Sequence, residues 1–240
     1  MKYMVIIILT IVIYADSDLK KIKSAYIHKD YKKVIKLLKN RANRGDLNAQ
    51  LDLAKIYLNG DGVKKSPQKA IFWFQKASNK SVVAIRKLAI LYLKGIGVKQ
   101  DFKKAEMLFK KGAKKGDIES IYNLAVMYEK GIGVKSNLKE AIKLYKKAAQ
   151  KGYMDAQYNL ATIYYKDNNL TKAIYWYKKA ALQGDSESLY NMGWFYANGK
   201  GVLKNKIKAY QYWIEAAKRS HQKAQDELDK LCKISPWACK

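Results

Sequence analysis

Lys94-Gly95-Ile96-Gly97-Val98-Lys99 recurs letter for letter at Lys130-Gly131-Ile132-Gly133-Val134-Lys135, 36 residues further on. A hexapeptide so poor in reactive groups points to architecture. Aligning the chain on it brings out a longer pattern in five copies. Tyr57, Tyr92, Tyr128, Tyr164 and Tyr196 each follow a Leu-Ala or Met-Gly pair, from Leu53-Ala54 to Met192-Gly193. Downstream stand Ala70, Ala105, Ala141, Ala173 and Ala209, each followed three and four places later by bulky residues such as Trp73-Phe74 and Leu144-Tyr145. These are two apolar stripes at helical spacing per unit. A fixed period with two helices per unit is the mark of stacked helical hairpins.

The punctuation agrees. Four residues before each of those alanines lies Ser66, Asp101, Asn137, Asn169 or Asn205, all suited to accept the unpaired N–H groups of a first helical turn. Pro67 follows Ser66 at the first helical position, where its missing N–H costs nothing. Asp46, Ser81, Asp117 and Asp185 mark the other helix starts, with Tyr153 breaking the pattern, and Gly45, Gly116, Gly152 and Gly184 close the preceding helices. In the opening hexapeptide, the first glycine can end a helix in the left-handed conformation. The second keeps the turn free of a Cβ, and Val98 or Val134 plugs it onto the core. A phosphate loop would need GxxxxGK[ST] after a strand, and neither is present.

The pattern Ala-x3-Leu-Ala/Gly-x2-Tyr-x2-Gly-x-Gly-Val-x6-Ala-x2-Trp/Tyr-aromatic-x2-Ala-Ala-x2-Gly resembles the Sel-one-like repeat, a relative of the tetratricopeptide repeat. The likeness covers residues 48–220. It implies an all-α fold, an α-solenoid (right-handed superhelix) of five helix-turn-helix repeats with helical caps. Repeat four departs from it: Tyr164 to Ala173 spans 9 residues where the other repeats span 13, and the Gly-x-Gly turn is gone. A tighter turn, like that of the tetratricopeptide repeat, is expected there. Residues 16–47 are read as an N-terminal helical cap, with a degenerate first helix over 17–28, and residues 221–240 as a C-terminal capping helix.

The formal net charge is +28, and only Arg41, Arg44, Arg86 and Arg219 among the 48 basic residues are not Lys. Apolar residues make up 49% of the chain, so it is not a disordered polyelectrolyte. Lys2 precedes an apolar run, Met4 to Tyr14, that turns polar at Asp16. This is the layout of a secretory signal peptide over residues 1–15, cleaved near Ala15, and the expected location is the periplasm or the exterior. An oxidising compartment makes Cys232 and Cys239, the only two cysteines, a disulfide pair. In a continuous helix their Cα atoms would stand ~10 Å apart, too far to bridge, but Pro236 ends the helix and lets the tail fold back.

The resemblance also implies that the first helix of each unit lines a concave, partner-binding surface. Tyr122-Asn123, Tyr158-Asn159 and Tyr190-Asn191 fall there, with Trp194, Tyr165 and Arg86 on the same inner surface by helical projection. An Asn amide offers a donor and an acceptor to a peptide backbone, and a Tyr ring offers apolar area with a polar tip. The alternative is that the tyrosines only pad helix–helix contacts. The expected partner is a protein or peptide, with acidic envelope lipids or glycans as a further attraction for the lysines and no specific nucleic acid, the chain acting as a monomer.

Chemistry finds little support. Cysteine-rich members of the family carry a β-lactamase label, and a β-lactamase-like or peptidoglycan-related hydrolase is the competing reading. Ser17, Ser66, Ser136 and Ser220 each open a Ser-x-x-Lys, yet Ser-Asp-Asn and Lys-Thr-Gly are absent. His28 and His221, read as surface residues, are the only histidines. No metal or cofactor is expected. The Cys232–Cys239 pairing has a direct check: the exported protein should resist thiol alkylation until reduced, and labelling without reductant would refute it.

Overall fold

The computed structural model describes residues 17–236, and within them the chain forms thirteen α-helices and no strand. The signal-peptide reading and Cys239 fall outside the described residues. The chain divides into two compact units, Met1–Gln100 and Asp101–Lys240. In the first, α1 (Ser17–Ile27) and α2 (Tyr31–Asn43) form a hairpin, followed by α3 (Leu47–Asn59), α4 (Pro67–Ala77) and α5 (Val82–Lys94). In the second, α6 (Phe102–Lys114) precedes the hairpins α7 (Ile118–Lys130)/α8 (Leu138–Gln150), α9 (Met154–Lys166)/α10 (Leu170–Leu182) and α11 (Ser186–Asn198)/α12 (Lys206–Ala217), then α13 (Gln222–Ile234). Within each unit every helix packs on its chain neighbours. Among the described residues no helix is long and apolar enough to cross a membrane.

The helix starts follow from their caps. Asp46, Ser81, Asp117 and Asp185 accept the backbone N–H of Ala49, Ala84, Ser120 and Ser188, opening α3, α5, α7 and α11, the first or A helices of their repeats. Asp101, Asn137, Asn169 and Asn205 do the same for the second or B helices α6, α8, α10 and α12. Each such bond is worth about 1 kcal/mol. Ser66 departs from expectation. It sits at the cap position of α4 but its side chain makes no capping bond. Its backbone N–H donates to the Tyr57 carbonyl at 2.7 Å, as those of Asn137 and Asn205 do to Tyr128 and Tyr196, and Pro67 at the first helical position lacks an N–H that would need a partner.

The recurring hexapeptide does two jobs. Gly131 ends α7 at φ 68° with its N–H on the Met127 carbonyl. Gly133, at φ 66°, sits so close to the first residue of α6 that a Cβ on it would lie 2.0 Å from Phe102 Cβ. The second glycine therefore does more than relieve the turn, because it lets one hairpin's loop rest on the start of the preceding B helix. Gly97 meets Pro67 in the same way, at 2.5 Å.

Repeat four has the tighter turn its spacing predicts. Only residues 167–169 separate α9 from α10, with Asn168 in the left-handed region at φ 55°. Residues 28–30 join α1 to α2 in the same manner, with Lys29 at φ 58°. The N-terminal segment is thus a full hairpin of this tight kind. Leu138, which heads α8 as Phe102 heads α6, is followed by the shortened hairpin and remains 50% exposed.

Small and large residues alternate through the core. Ala105, Ala141, Ala173 and Ala209 are fully buried, and so are Phe109 and Tyr145, with Tyr177 and Trp213 nearly so. In repeat five the balance shifts: Gly193 replaces the usual alanine, and a Cβ there would lie 2.4 Å from Trp213 Cδ1. The wider indole takes the space that the missing methyl leaves.

Two glycines separate backbone strain from steric exclusion. Gly116 has positive φ, at 83°, but no atom within 4 Å of an added Cβ. Gly116→Ala should cost about 1 kcal/mol, and Gly133→Ala that amount plus about 1–3 kcal/mol of overpacking, read from denaturant melts. Equal losses would contradict the close approach to Phe102.

Candidate functional site

In the second unit, α7, α9 and α11 repeat one arrangement at their N-terminal ends. Each carries an acid three residues before its Tyr-Asn: Glu119 before Tyr122-Asn123, Asp155 before Tyr158-Asn159, Glu187 before Tyr190-Asn191. Residues three and four apart on a helix share a face, so carboxylate, ring and amide lie together on each helix. The acids are exposed and the tyrosines and asparagines half-buried. The carboxylates were not among the residues singled out from sequence, although their fixed distance from Tyr-Asn was there to be read.

The tyrosines are partly structural, as the padding alternative holds. The Tyr122 ring packs on Tyr153 and Tyr145, at 4.9 and 5.9 Å between centroids. Its hydroxyl accepts from Asn159 Nδ2 at 3.3 Å, and the same amide donates to the Tyr145 hydroxyl at 3.3 Å. Tyr145 in turn donates to Glu129 Oε2 at 2.6 Å. Tyr145 is fully buried, and this chain of bonds satisfies its hydroxyl. Burial, followed by the Glu129 carboxylate, holds its phenol well above the ordinary tyrosine range. Tyr158 meets Tyr177 edge-on at 5.9 Å, and the Tyr177 hydroxyl shares a 3.0 Å hydrogen bond with Thr162.

The three asparagines differ. Asn123 turns back to donate to the Glu119 carbonyl at 2.7 Å, and Asn159 is tied into the tyrosine network. The Asn191 side chain has no hydrogen-bond partner among the described residues. Beside it, Trp194 stands edge-on to Tyr165 at 6.1 Å, and the Lys200 ammonium lies over both rings, 5.3 Å from Tyr165 and 5.5 Å from Trp194. The structure thus joins Tyr122 to Asn159 and Tyr165 to Trp194. Arg86 is half-buried on α5 and belongs to the first unit.

His221 corrects the expectation of a surface residue, being only 9% exposed. Its Nδ1 accepts the Ala224 N–H at 3.2 Å, capping α13, while its ring stacks on Tyr190 at 4.8 Å and Nε2 faces Glu187 at 3.4 Å. It fills the cap slot that aspartates occupy in other A helices, and that slot is buried against the preceding hairpin. His28 is exposed, as expected.

The serines of the Ser-x-x-Lys matches lie at helix ends. Ser17 begins α1 and Ser66 precedes α4. Ser136 donates to the Glu129 carbonyl at 3.2 Å, and Ser220 sits at φ 62° in the turn before α13. No group of three His, Cys, Asp or Glu able to hold a metal occurs among the described residues. Cys232 lies in the last turn of α13.

Burial pushes the Tyr177 phenol up to about 12, with the Thr162 hydrogen bond pulling the other way. Its folded-state value exceeds the ordinary value of 10.0, so the folded form holds its proton more tightly. That stabilisation is complete below pH about 10 and is lost as pH rises toward 12. The melting temperature should fall over this window, and Tyr177→Phe should flatten the fall; an unchanged slope would refute the assignment.

Comparison with known proteins follows the same lines. The Sel1 repeat model matches residues 47–82, 82–117, 118–153, 155–185 and 186–221. The solved structure of c5321, a protective antigen of uropathogenic Escherichia coli strains with an SLR fold, is 28% identical with a TM-score of 0.74, over 85% of this chain and 45% of that one. The present chain therefore spans less than half of that protein. A Sel1 repeat protein from Oxalobacter formigenes is 26% identical with a TM-score of 0.77, over 89% of each chain. The immunity protein Pa5087 of Pseudomonas aeruginosa, 18% identical with a TM-score of 0.51, over 86% of this chain and 83% of that one, shares the fold. No curated protein matches the chain. Five matched repeats, thirteen described helices and these structural neighbours place the chain in the Sel1 repeat family, as an all-α solenoid.

Proposed function

We propose that the chain is an exported scaffold that holds a protein partner against the α7–α9–α11 face of its second unit, without chemistry of its own. Sel1 repeat proteins are in general protein-interaction scaffolds. The observation that carries the assignment to this face is the pairing of a half-exposed Trp194 with an Asn191 amide that has no partner among the described residues. A peptide backbone crossing the face can give and take hydrogen bonds at that amide while its side chains cover the indole. The apolar run after Lys2 and the Cys232/Cys239 pair support export into an oxidising envelope.

A second reading, electrostatic association with acidic envelope lipids or glycans, is favoured by the B helices, of which α6 carries five lysines and α8 four. Salt separates the two. Mature protein used as bait on envelope extract should retain its partner at moderate ionic strength, and Asn191→Ala/Trp194→Ala should weaken binding of that purified partner at least tenfold. These residues are preferred to Tyr122 or Tyr158, whose removal would also loosen helix packing. A partner lost at moderate salt and indifferent to the double substitution would favour the electrostatic reading.

A further inference from the structure

The charge of the second unit is sorted by helix. α6, α8 and α10 carry five, four and three lysines. On α7 and α9 the only lysines are Lys130 and Lys166, each the final residue of its helix, and α11 has none. Glu119, Asp155 and Glu187 stand exposed in the first turns of these three A helices, where few lysines offset them, whereas the glutamates of α6, α8 and α12 lie among lysines. A chain of formal charge +28 thus presents a face on which carboxylates, tyrosines and amides alternate.

The ranks are in register from helix to helix. Asp155 stands near enough to Tyr122 to oppose its ionisation, as Glu187 does for Tyr158 and Glu227 for Tyr190, burial being the larger cause in each case. At the far end of the face the molecule shows what such a surface accepts: the Lys200 ammonium rests over Tyr165 and Trp194 together. An ammonium held over two rings gains from both ring quadrupoles. A ligand lysine or arginine would meet the same rings.

We propose that this face takes an extended, basic segment of a partner protein, its lysine or arginine side chains seated between the carboxylates of one A helix and the tyrosines of the preceding one. The proposal rests on the scaffold reading above and names the chemistry of its partner. The net positive charge does not prevent such binding, since at physiological ionic strength fields decay over ~8 Å and a bound cation feels chiefly the nearest acids. Asn191 supplies the peptide backbone with a hydrogen-bonding amide, and the spacing of ranks by whole helices suits an extended chain that presents a charge at intervals.

The test uses the full mature chain and a fluorescein-labelled twelve-residue peptide of alternating Lys and Ala, with its Glu-Ala counterpart, by anisotropy in 150 mM salt. The Lys-Ala peptide should bind, and Glu119→Gln/Asp155→Asn/Glu187→Gln should weaken it at least tenfold. Glu106→Gln/Glu140→Gln/Glu215→Gln, on B helices, should change it less than twofold. Lys200→Ala should tighten binding more than the charge-matched Lys204→Ala does, because it vacates the two rings; this arm stands even where the triple substitution loosens the fold. Failure of the Lys-Ala peptide to bind, equal weakening by both triple variants, or equal effects of the two lysine substitutions overturns the proposal. Self-association of the chain that the A-face triple variant abolishes would also overturn it, by assigning the face to a second copy. If the purified partner remains sensitive to Asn191→Ala/Trp194→Ala but not to the A-face charge variant, the scaffold reading stands and the basic-segment proposal falls.

Discussion

A helical hairpin of this size cannot cover its own apolar face, so everything in the structure depends on how closely one hairpin can approach the next. That approach is set where backbone meets side chain with no Cβ between them. Gly133 against Phe102 is such a contact between hairpins, Gly193 against Trp213 is its counterpart inside one hairpin, and neither leaves room for a methyl group. The fully buried alanines at 105, 141, 173 and 209 serve the same end within the hairpins. With those distances set, the aromatic residues four places on can fill the layer between helices at the density that protein interiors require.

The filling is polar as well as apolar, which shapes the candidate site. Tyrosines at 145 and 177 occupy positions that phenylalanine holds at 74 and 109. Their hydroxyls must be paired inside the core, and they are, to Glu129 and to Thr162. Asn159 extends the first network outward to Tyr122. Part of the Tyr-Asn pattern is therefore structural, and the recognition surface proper shrinks toward Asn191, Trp194, Tyr165 and the exposed acids. One pattern thus has different meanings in successive repeats, because each copy has a different neighbour.

Charge separation follows from the same geometry. A and B helices alternate along the chain, so any bias in their solvent-facing residues produces two chemically different surfaces. Lysines accumulate on B helices, where nothing in the hairpin packing demands a particular side chain. The acids begin the A helices, where they also suit the positive end of the helix dipole. Overall charge is thus a poor guide to what any one face will bind.

Much of this was legible in the amino-acid order alone. The period, the helix starts at Asp101, Asn137, Asn169 and Asn205, the tight turn of repeat four and the family are local in origin. They rest on spacing, on side chains that cap their own helix, and on glycines that turn the chain where they stand. Ser66 occupies the cap position without making the capping bond, and nothing in its local sequence explains the difference. The second glycine of the hexapeptide was read as a turn residue, and its approach to Phe102, 31 positions earlier in sequence, could not be seen without the packed hairpins. His221 looked like a surface residue for the same reason, since Tyr190 stacks on it and Glu187 faces it from the preceding hairpin. The sequence by itself determined the repeat and its helices, because those depend on neighbours a few residues away. Tertiary structure alone decided which tyrosines are core and which are surface, because that depends on the side chain the next hairpin brings.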